Sequence, residues 1–337
     1  MYYKITNTEE IKGVLQNLKH NPYKKYKKFK CEIGELLREN QKVFFDLFKI
    51  CENNIINNNL IKTPKSLIML NCPIDDDLPI YDLSDPVNDK YKTKKTFVGE
   101  AFLEVVSEIF SMPILSYTTR NNGDYFQDVY PHKDYFSTQT QKTDSDLFYH
   151  NDRTAHPIRA DYLLLLGMRS CGRNTVYTTY IDGKNILDNI SEDMRSLLRK
   201  PFFTTPFDLI SKDSNSGQVE SGACSILYDD NCIRYYDGRT EVHPEGPDIA
   251  WKAIVELKNA ILNAPKNRVN ITEGCLFLFP NTRGLHGREI LCVSDKQALR
   301  NRYLLKTYNF ASVDRCLYYR KFFVEGNIGL VDDDLIK

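Results

Sequence analysis

The amino-acid sequence predicts an α+β protein with a barrel-like or sandwich core of β-strands and supporting helices. Apolar runs of strand length are concentrated in the second half of the chain, as at residues 161–167. Amphipathic helical patterns precede them at residues 30–52 and 97–111, and one late helix opens at Pro247 and Asp248. Strands with helices grouped around them are typical of this architecture.

The other elements follow from the same periodicities. A helical pair is expected near 184–199, with Ser191 as an N-cap. Residues 119–146 are polar and irregular, and a long polar segment beside a site is often a lid. Strands are expected at 66–71, 174–180, 218–228, 232–237, 275–279 and 303–310.

Length and charge restrict the function classes. The 337 residues fit one domain, with a helical N-terminal support over about 1–112 and a β core over about 113–315. Hydrophobic residues make up 42% and charged residues 27%, which favours a folded chain over disorder. The 45 basic and 45 acidic residues cancel, so we expect neither nucleic acid nor a membrane surface as partner.

Nine cysteines are scattered along the chain without a Cys-x-x-Cys pair. An odd count without paired spacing favours a reduced, cytoplasmic protein and excludes a zinc ribbon. The N-terminus has no apolar signal region, and no apolar run approaches the ~18 residues of a membrane helix.

Three residues carry the strongest chemical signal. His150 and Asp152 end an aromatic, strand-like run, and side chains two apart on a strand lie on one face, ~6.6 Å apart. His286 follows the buried run 275–279 in what reads as a polar loop. Two histidines and one carboxylate can hold non-haem Fe(II) on one face and leave the opposite positions open.

These residues lie in three ordered motifs. The segment 150–163 reads His-Asn-Asp-Arg-Thr-Ala-His-Pro-Ile-Arg-Ala-Asp-Tyr-Leu, and the second block is Asn281-x-Arg283-x-x-His286-x-Arg288. Arg302 follows sixteen residues after His286. At these motifs, which span about 135–310, the chain resembles the Fe(II)/2-oxoglutarate-dependent oxygenases of the clavaminate synthase-like group.

The resemblance implies a double-stranded β-helix core of the jelly-roll, cupin-like kind. It implies that His150, Asp152 and His286 bind iron. It also implies that 2-oxoglutarate is a co-substrate whose far carboxylate is held by Arg302 and by a hydroxyl from Thr178 or Thr179. Such enzymes consume dioxygen, hydroxylate a substrate, and release succinate and CO₂.

Within that group the chain is most similar to hydroxylases of free arginine, asparagine and especially lysine. Asp237 stands where such enzymes place a substrate-binding aspartate, and Asp229 and Asp230 are nearby alternatives. Gln139 and Gln141 resemble the segment that handles the amino-acid head group. An acidic pocket suits a cationic side chain, so L-lysine is the expected substrate.

Two positions depart from many relatives. Asp152 stands where they carry glutamate, and Lys306 where they carry a second arginine. His156, four residues after Asp152, has an ambiguous spacing for a ligand, and we interpret it as a structural group beside the site.

Other functions share these residues. A zinc hydrolase can use the same His/Asp/His set with bound water, and a non-catalytic metal sensor can keep the same fold. Among oxygenases, arginine or another amino acid, free or bound to a carrier or peptide, is the alternative substrate. The carbon that is hydroxylated and the oligomeric state stay open.

Overall fold

A computed structural model describes residues 1–56, 65–207, 219–229 and 231–336, apart from the side chains of residues 55 and 56. Helices lie in several segments between the strands, and most of the helical residues before the first long strand are in the N-terminal third of the chain. They are α1 Thr8–Leu15, α2 Tyr26–Glu39, α3 Phe45–Ile56, α4 Pro86–Thr93, α5 Val98–Ile109, α6 Gly183–Leu187, α7 Glu192–Leu198, α8 Ala250–Asn263, α9 Lys296–Arg300 and α10 Val313–Tyr318.

The strands form two principal sheets and one small two-stranded sheet. They are β1 Tyr2–Lys4, β2 Leu67–Leu70, β3 Ile114–Tyr117, β4 Gln127–Val129, β5 Leu147–His150, β6 Tyr162–Arg169, β7 Thr175–Asp182, β8 Phe203–Thr204, β9 Glu241–Val242, β10 Asn267–Val269, β11 Leu276–Pro280, β12 Gly284–Cys292, β13 Tyr303–Asn309 and β14 Leu330–Val331.

The major sheet has the order β1-β2-β11-β6-β13-β3-β14, with β4 also paired to β13. The minor sheet has the order β10-β7-β12-β5, and β8 pairs with β9. Pairing is antiparallel except for β1 with β2 and β3 with β14. The α+β prediction is therefore confirmed as a mixed fold with large, mostly antiparallel sheets.

Both faces of the major sheet are buried, which explains its continuous apolar runs. Along β6, Leu164 and Leu166 pack into one core cluster with helices α2, α3 and α5. The alternate residues Leu163 and Leu165 pack into a second cluster on the other face. Since successive strand residues point to opposite faces, an unbroken leucine run is needed to fill both.

The second cluster lies between the two sheets. Tyr180 of β7 lies 5.3 Å, centroid to centroid, from Phe279 of β11, and Phe279 lies 5.1 Å from the ring of His286. The outer face of the minor sheet packs through Ile181 and Leu285 against α6, α7 and α8. The minor sheet is thus held between the major sheet and a helical layer.

Several sequence predictions need correction. The single helix over 30–52 is wrong, because α2 ends at Glu39 and Asn40 donates its side-chain amide to the Leu36 carbonyl. The strand at 232–237 is irregular chain with isolated bridges such as Leu227↔Ile233, and so is the described part of 218–228. Residue 218 lies outside the described residues. The segment 119–146 contains one short strand, β4.

The other predicted strands and the helical pair are confirmed to within a few residues. Ser191 occupies the N-cap position of α7 but makes no side-chain cap hydrogen bond. In the described part of the chain, no helix is long and apolar enough to cross a membrane.

Gly167 in β6 lies against the backbone that follows β10, which predicts a large cost for any side chain there. A Cβ would lie 1.9 Å from the Thr272 carbonyl oxygen. Since overpacking a core typically costs about 1–3 kcal/mol, Gly167→Ala should lower the free energy of unfolding by at least that amount. Chemical denaturation measures it. Gly13→Ala is the control, because nothing lies within 4 Å of that helical position and alanine there should stabilise α1.

Candidate active site

The three predicted iron ligands converge where β5 and β12 pair. His150 ends β5, and its pairing partner on β12 is His286. Asp152 lies two residues past the strand end, in a turn. The expected polar loop around His286 is wrong, because that histidine lies within strand β12.

The ligand atoms are close enough to share one metal ion. Asp152 Oδ1 lies 3.3 Å from His150 Nε2 and 3.8 Å from His286 Nε2. One ligand atom from each residue lies within 4.8 Å of the other two. All three side chains are nearly inaccessible to solvent. This arrangement fits a facial two-histidine, one-carboxylate site for Fe(II).

The protonation of both imidazoles suits metal binding. His150 Nδ1 lies 2.7 Å from the Phe148 carbonyl oxygen, which requires a proton on Nδ1 and leaves the Nε2 lone pair free. Burial, and then the nearby His150, lowers the pKa of His286 well below its usual value. His286 is therefore neutral near pH 7.

Lys306 fixes the carboxylate ligand. Burial alone would raise the pKa of Asp152, but the Lys306 ammonium and the two imidazoles lower it well below its usual value. Lys306 Nζ lies 2.6 Å from Asp152 Oδ2 and 2.5 Å from Gln141 Oε1. Because the ammonium occupies Oδ2, Asp152 offers the metal site one oxygen, Oδ1.

Two asparagines hold the motifs together. Asn151 donates its side-chain amide to the carbonyl oxygens of Asn281 and Gly284, at 2.5 and 2.8 Å, and accepts from the Tyr235 N–H at 2.8 Å. Asn281 accepts from the Asp152 N–H at 2.8 Å and donates to the Ala160 carbonyl at 2.9 Å. Both side chains are buried. This asparagine clasp, Asn151 with Asn281, was missed from the sequence, although both residues stand inside the quoted motifs.

A cavity adjoins the metal ligands, and its empty volume, open solvent included, is ≈ 520 Å³. Gln139 and Gln141, which we expect from the sequence to handle an amino-acid head group, are among its lining residues. We call it the substrate cavity. Its lining residues are Arg120, Gln139, Thr140, Gln141, His150, Asn151, Asp152, Arg153, Thr154, Ala155, Thr205, Pro206, Phe207, Tyr236, Arg239 and Tyr308.

A second cavity is lined by Arg302 and Arg288, and we call it the arginine cavity; its empty volume, open solvent included, is ≈ 270 Å³. Arg302 is 6% exposed, and its Nη2 has no hydrogen-bond partner among the described residues. Burial, followed by the Arg288 charge, lowers the pKa of Arg302 to about 9. Burial also lowers the pKa of Arg288 to about 10. Two guanidinium groups in one buried cavity are suited to binding an anion.

The two cavities meet at Gln141, which lines both. Its carbonyl accepts from Arg288 at 3.3 Å, while its side chain accepts from Lys306. Arg288 is a second residue whose part in the site was not predicted. Its position in the motif, two residues after His286 on one strand, is the signal that could have identified it, because such residues share a face.

Thr178 does not line either cavity. It lies opposite Arg288 in the β7–β12 register and shares its face, whereas Thr179 lies opposite Gly287 on the other face. The Thr179 hydroxyl is near Tyr149 on that outer side.

The predicted substrate carboxylates are not brought to the substrate cavity. The Asp237 carboxylate accepts from the Tyr235 hydroxyl at 3.0 Å and lies 3.6 Å from Lys258 Nζ on α8. Asp229 is exposed and lines neither cavity. Asp230 lies outside the described residues.

His156 takes a structural position, in agreement with our interpretation. Its Nε2 lies 2.7 Å from Asp333 Oδ1, and its Nδ1 lies 2.6 Å from the Ile158 carbonyl. Burial lowers the pKa of His156 to about 4, so the ring is neutral near pH 7. Arg153, which lines the substrate cavity, lies 3.4 Å from the same Asp333 oxygen.

Solved structures of non-haem iron oxygenases share this fold. Asparagine oxygenase, in complex with Fe(II), 2S,3S-3-hydroxyasparagine and succinate, aligns with a TM-score of 0.77 and 16% identity over 98% of this chain and 99% of that chain. The non-heme iron oxygenase OrfP, in complex with Fe, succinate and (3S)-hydroxy-L-Arg, aligns at 0.75 and 17% over the same shares. Its complex with Fe and alpha-ketoglutaric acid aligns at 0.72 and 16%.

At this identity the likeness defines the fold, which is that of these oxygenases over nearly the whole chain. No protein-family model and no curated protein sequence matches the chain.

The geometry predicts which histidines bind metal. His150→Ala and His286→Ala should each weaken Fe(II) binding by more than the about 10–100-fold typical of losing an outer partner. Anaerobic equilibrium dialysis measures the affinity. His156→Gln is the matched control: it should still bind one Fe(II) but unfold more readily, because it disrupts buried hydrogen bonds worth about 1–3 kcal/mol. Loss of iron from His156→Gln alone would contradict this assignment.

Proposed function

We propose that this protein is an Fe(II)- and 2-oxoglutarate-dependent oxygenase that hydroxylates a small, free amino acid. The main support for this proposal is the arginine cavity, which lies beside the triad of His150, Asp152 and His286. Gln141 lines that cavity and bonds to Lys306, the partner of Asp152. In this reaction one atom of dioxygen enters the substrate C–H bond as a hydroxyl group. The other enters succinate as 2-oxoglutarate loses CO₂.

Each group of residues has one task in this proposal. The triad holds Fe(II) on one face, and the bound ion supplies the reactivity toward dioxygen. Arg302, assisted by Arg288, grips the far carboxylate of 2-oxoglutarate through paired N–H donors. Thr178 remains the proposed hydroxyl partner, supported by its place opposite Arg288.

The segment around Gln139 covers the substrate cavity. The Gln139 carbonyl accepts from the Tyr236 hydroxyl at 2.7 Å and from the Arg239 guanidinium. The Gln139 side chain accepts from the Phe148 N–H at 2.9 Å. These bonds tie part of the predicted lid, 119–146, to the strand that carries His150, and a covered site keeps water from the reacting atoms.

We further propose that the two facing sheets form the double-stranded β-helix core and that 1–337 is one oxygenase domain. The sheets share the core cluster that contains Tyr180 and Phe279. Strands β1 and β2 extend the major sheet, so the N-terminal support over about 1–112 is continuous with the core over about 113–315.

The substrate class follows partly from the fold. Asparagine oxygenase and OrfP were solved with hydroxylated asparagine and arginine, which supports an amino acid here. The prediction of lysine relied on Asp237, Asp229 and Asp230. Neither Asp237 nor Asp229 lines the substrate cavity, and Asp230 lies outside the described residues. A carrier- or peptide-bound amino acid stays the alternative. We propose no nucleic-acid or membrane partner and a cytoplasmic location, in keeping with the free cysteines of the described chain.

An anaerobic titration separates this proposal from a zinc hydrolase and from a metal sensor. An oxygenase that binds Fe(II) and 2-oxoglutarate together should develop a weak visible charge-transfer band. The arginine cavity favours this outcome, because a hydrolase has no need of a buried dicarboxylate site. Failure of the band to form, with the iron bound, would falsify the proposed co-substrate.

The co-substrate assignment makes a quantitative prediction for Arg302. Removing one partner of a buried ion pair costs about 3–5 kcal/mol. The KM for 2-oxoglutarate in Arg302→Ala should therefore rise by about two to three orders of magnitude. Arg288→Ala should raise this KM less, because the Arg288 guanidinium already donates to the carbonyl oxygens of Thr143 and Gln141. Succinate release against 2-oxoglutarate concentration gives both values.

Arg268→Ala provides the control. Arg268 is exposed, pairs with Glu289 at 2.6 Å and lines neither cavity. Its loss should leave the KM for 2-oxoglutarate nearly unchanged. A normal KM in Arg302→Ala would instead assign the carboxylate to Arg288 or Lys306.

A further inference from the structure

The turn after Tyr236 directs an arginine, not an aspartate, into the substrate cavity. Asp237 faces Tyr235 and Lys258 outside that cavity. Gly238 has a φ of 78°, in the left-handed region that glycine adopts readily. The chain thereby reverses, and Arg239 becomes a lining residue of the cavity.

Arg239 is held at a fixed place beside the metal ligands. Its guanidinium carbon lies 4.5 Å from the Tyr236 ring centroid, and it donates to the Gln139 carbonyl. The Tyr236 ring in turn lies 4.8 Å from the His150 ring at an interplanar angle of 26°. The stack of His150, Tyr236 and Arg239 therefore places a cation one aromatic ring away from an iron ligand.

The charge of Arg239 has no counter-ion in the part of the chain that the structure describes. Its guanidinium donates to the neutral carbonyl oxygen of Gln139, and no described carboxylate oxygen lies within 4.0 Å of its nitrogens. Arg239 is half-buried and faces the cavity. Such a guanidinium retains donors for a carboxylate and can bind it bidentately.

Two more arginines stand in the lining. They are Arg120 and Arg153, and Arg153 is ion-paired with Asp333. Among the described lining residues the carboxylate is Asp152, which the metal site and Lys306 use. Lysine would bring a second ammonium group to this surface, where the like charge of Arg239 would repel it.

We infer that the substrate is a free amino acid whose side chain ends in a carboxylate, and that Arg239 binds that carboxylate. This inference rests on the proposed hydroxylase function. A dicarboxylic amino acid has one negative charge more than its amide, and Arg239 supplies the matching cation. Arg239 is then a specificity-determining residue of the substrate cavity.

The test is a substrate panel assayed for succinate release and for products heavier by one oxygen. It contains L-aspartate, L-glutamate and L-2-aminoadipate, the amides L-asparagine and L-glutamine, and the bases L-lysine and L-arginine. The Fe(II)–2-oxoglutarate charge-transfer band is recorded first without substrate. We expect an acidic member to have the highest kcat/KM, at least tenfold above its amide where the panel includes one.

Variants of Arg239 assign the specificity. Arg239→Gln should lower kcat/KM for the acidic substrate by about 100-fold, mainly through KM, and should change the amide much less. Arg239→Lys should restore part of the lost kcat/KM. If Arg239→Gln does not fold, the acid and the amide are compared in Arg239→Lys instead. Arg268→Gln is the control, because Arg268 is exposed and pairs with Glu289 away from both cavities.

The outcomes are distinct. Equal losses for acid and amide in Arg239→Gln would mean that Arg239 binds the shared α-carboxylate, which overturns the side-chain assignment. Preference for lysine, arginine or an amide, or no turnover of any panel member with the band present, overturns the substrate class and leaves the oxygenase proposal standing. Lack of the band with iron bound removes the proposed function and this inference with it.

Discussion

The asparagine clasp is the constraint on which the metal site depends. Asn151 and Asn281 belong to different motifs. The buried Asn151 amide bonds to the main chain of Asn281 and Tyr235, and the buried Asn281 amide bonds to the main chain of Asp152. The clasp ties the turn that carries Asp152 to the segment before β12, in addition to the β5–β12 pairing and the Lys306 contact. A buried amide with all partners present is rigid, whereas a buried amide without partners is costly. The ligand positions therefore follow from hydrogen bonds made by residues that bind no metal.

The two positions that depart from the expected family pattern lie in direct contact. Asp152 and Lys306, where the resemblance implies glutamate and a second arginine, pair at 2.6 Å. Lys306 on β13 offers a compact charge, and its ammonium is held by one oxygen of the short Asp152 side chain. The same ammonium reaches Gln141, which relates the ligand set to the wall between the two cavities.

A residue's role in the site could be predicted where a sequence motif identifies it, and not where the role depends on contacts between distant strands. The candidate ligands His150, Asp152 and His286 stand in ordered motifs, as does the buried Arg302, so the sequence was sufficient to select them as candidates. Arg288 and the asparagine clasp lie inside those motifs, but their contacts depend on facing strands, which spacing alone does not reveal. Asp237 does not line the substrate cavity because the chain turns after Tyr236, which places Asp237 beside Lys258, and Arg239 in the cavity lining. The break between α2 and α3 was missed because the apolar periodicity continues across Asn40 while the backbone does not.

The closure of the site by distant segments has a consequence for how the chain folds. Asn151 meets Gly284 across 133 residues of sequence, and Arg153 meets Asp333 across 180. Loops of that length must be closed before these contacts contribute any stability, and proteins dominated by such non-local contacts fold slowly. Helices α2 and α5 close a shorter loop, as in the contact between Tyr26 and Glu104 across 78 residues. The leucine-rich strand β6, however, pairs with β11 and β13 far along the chain. The ligand set therefore forms only once loops of this length have closed, together with the pairing of the major sheet.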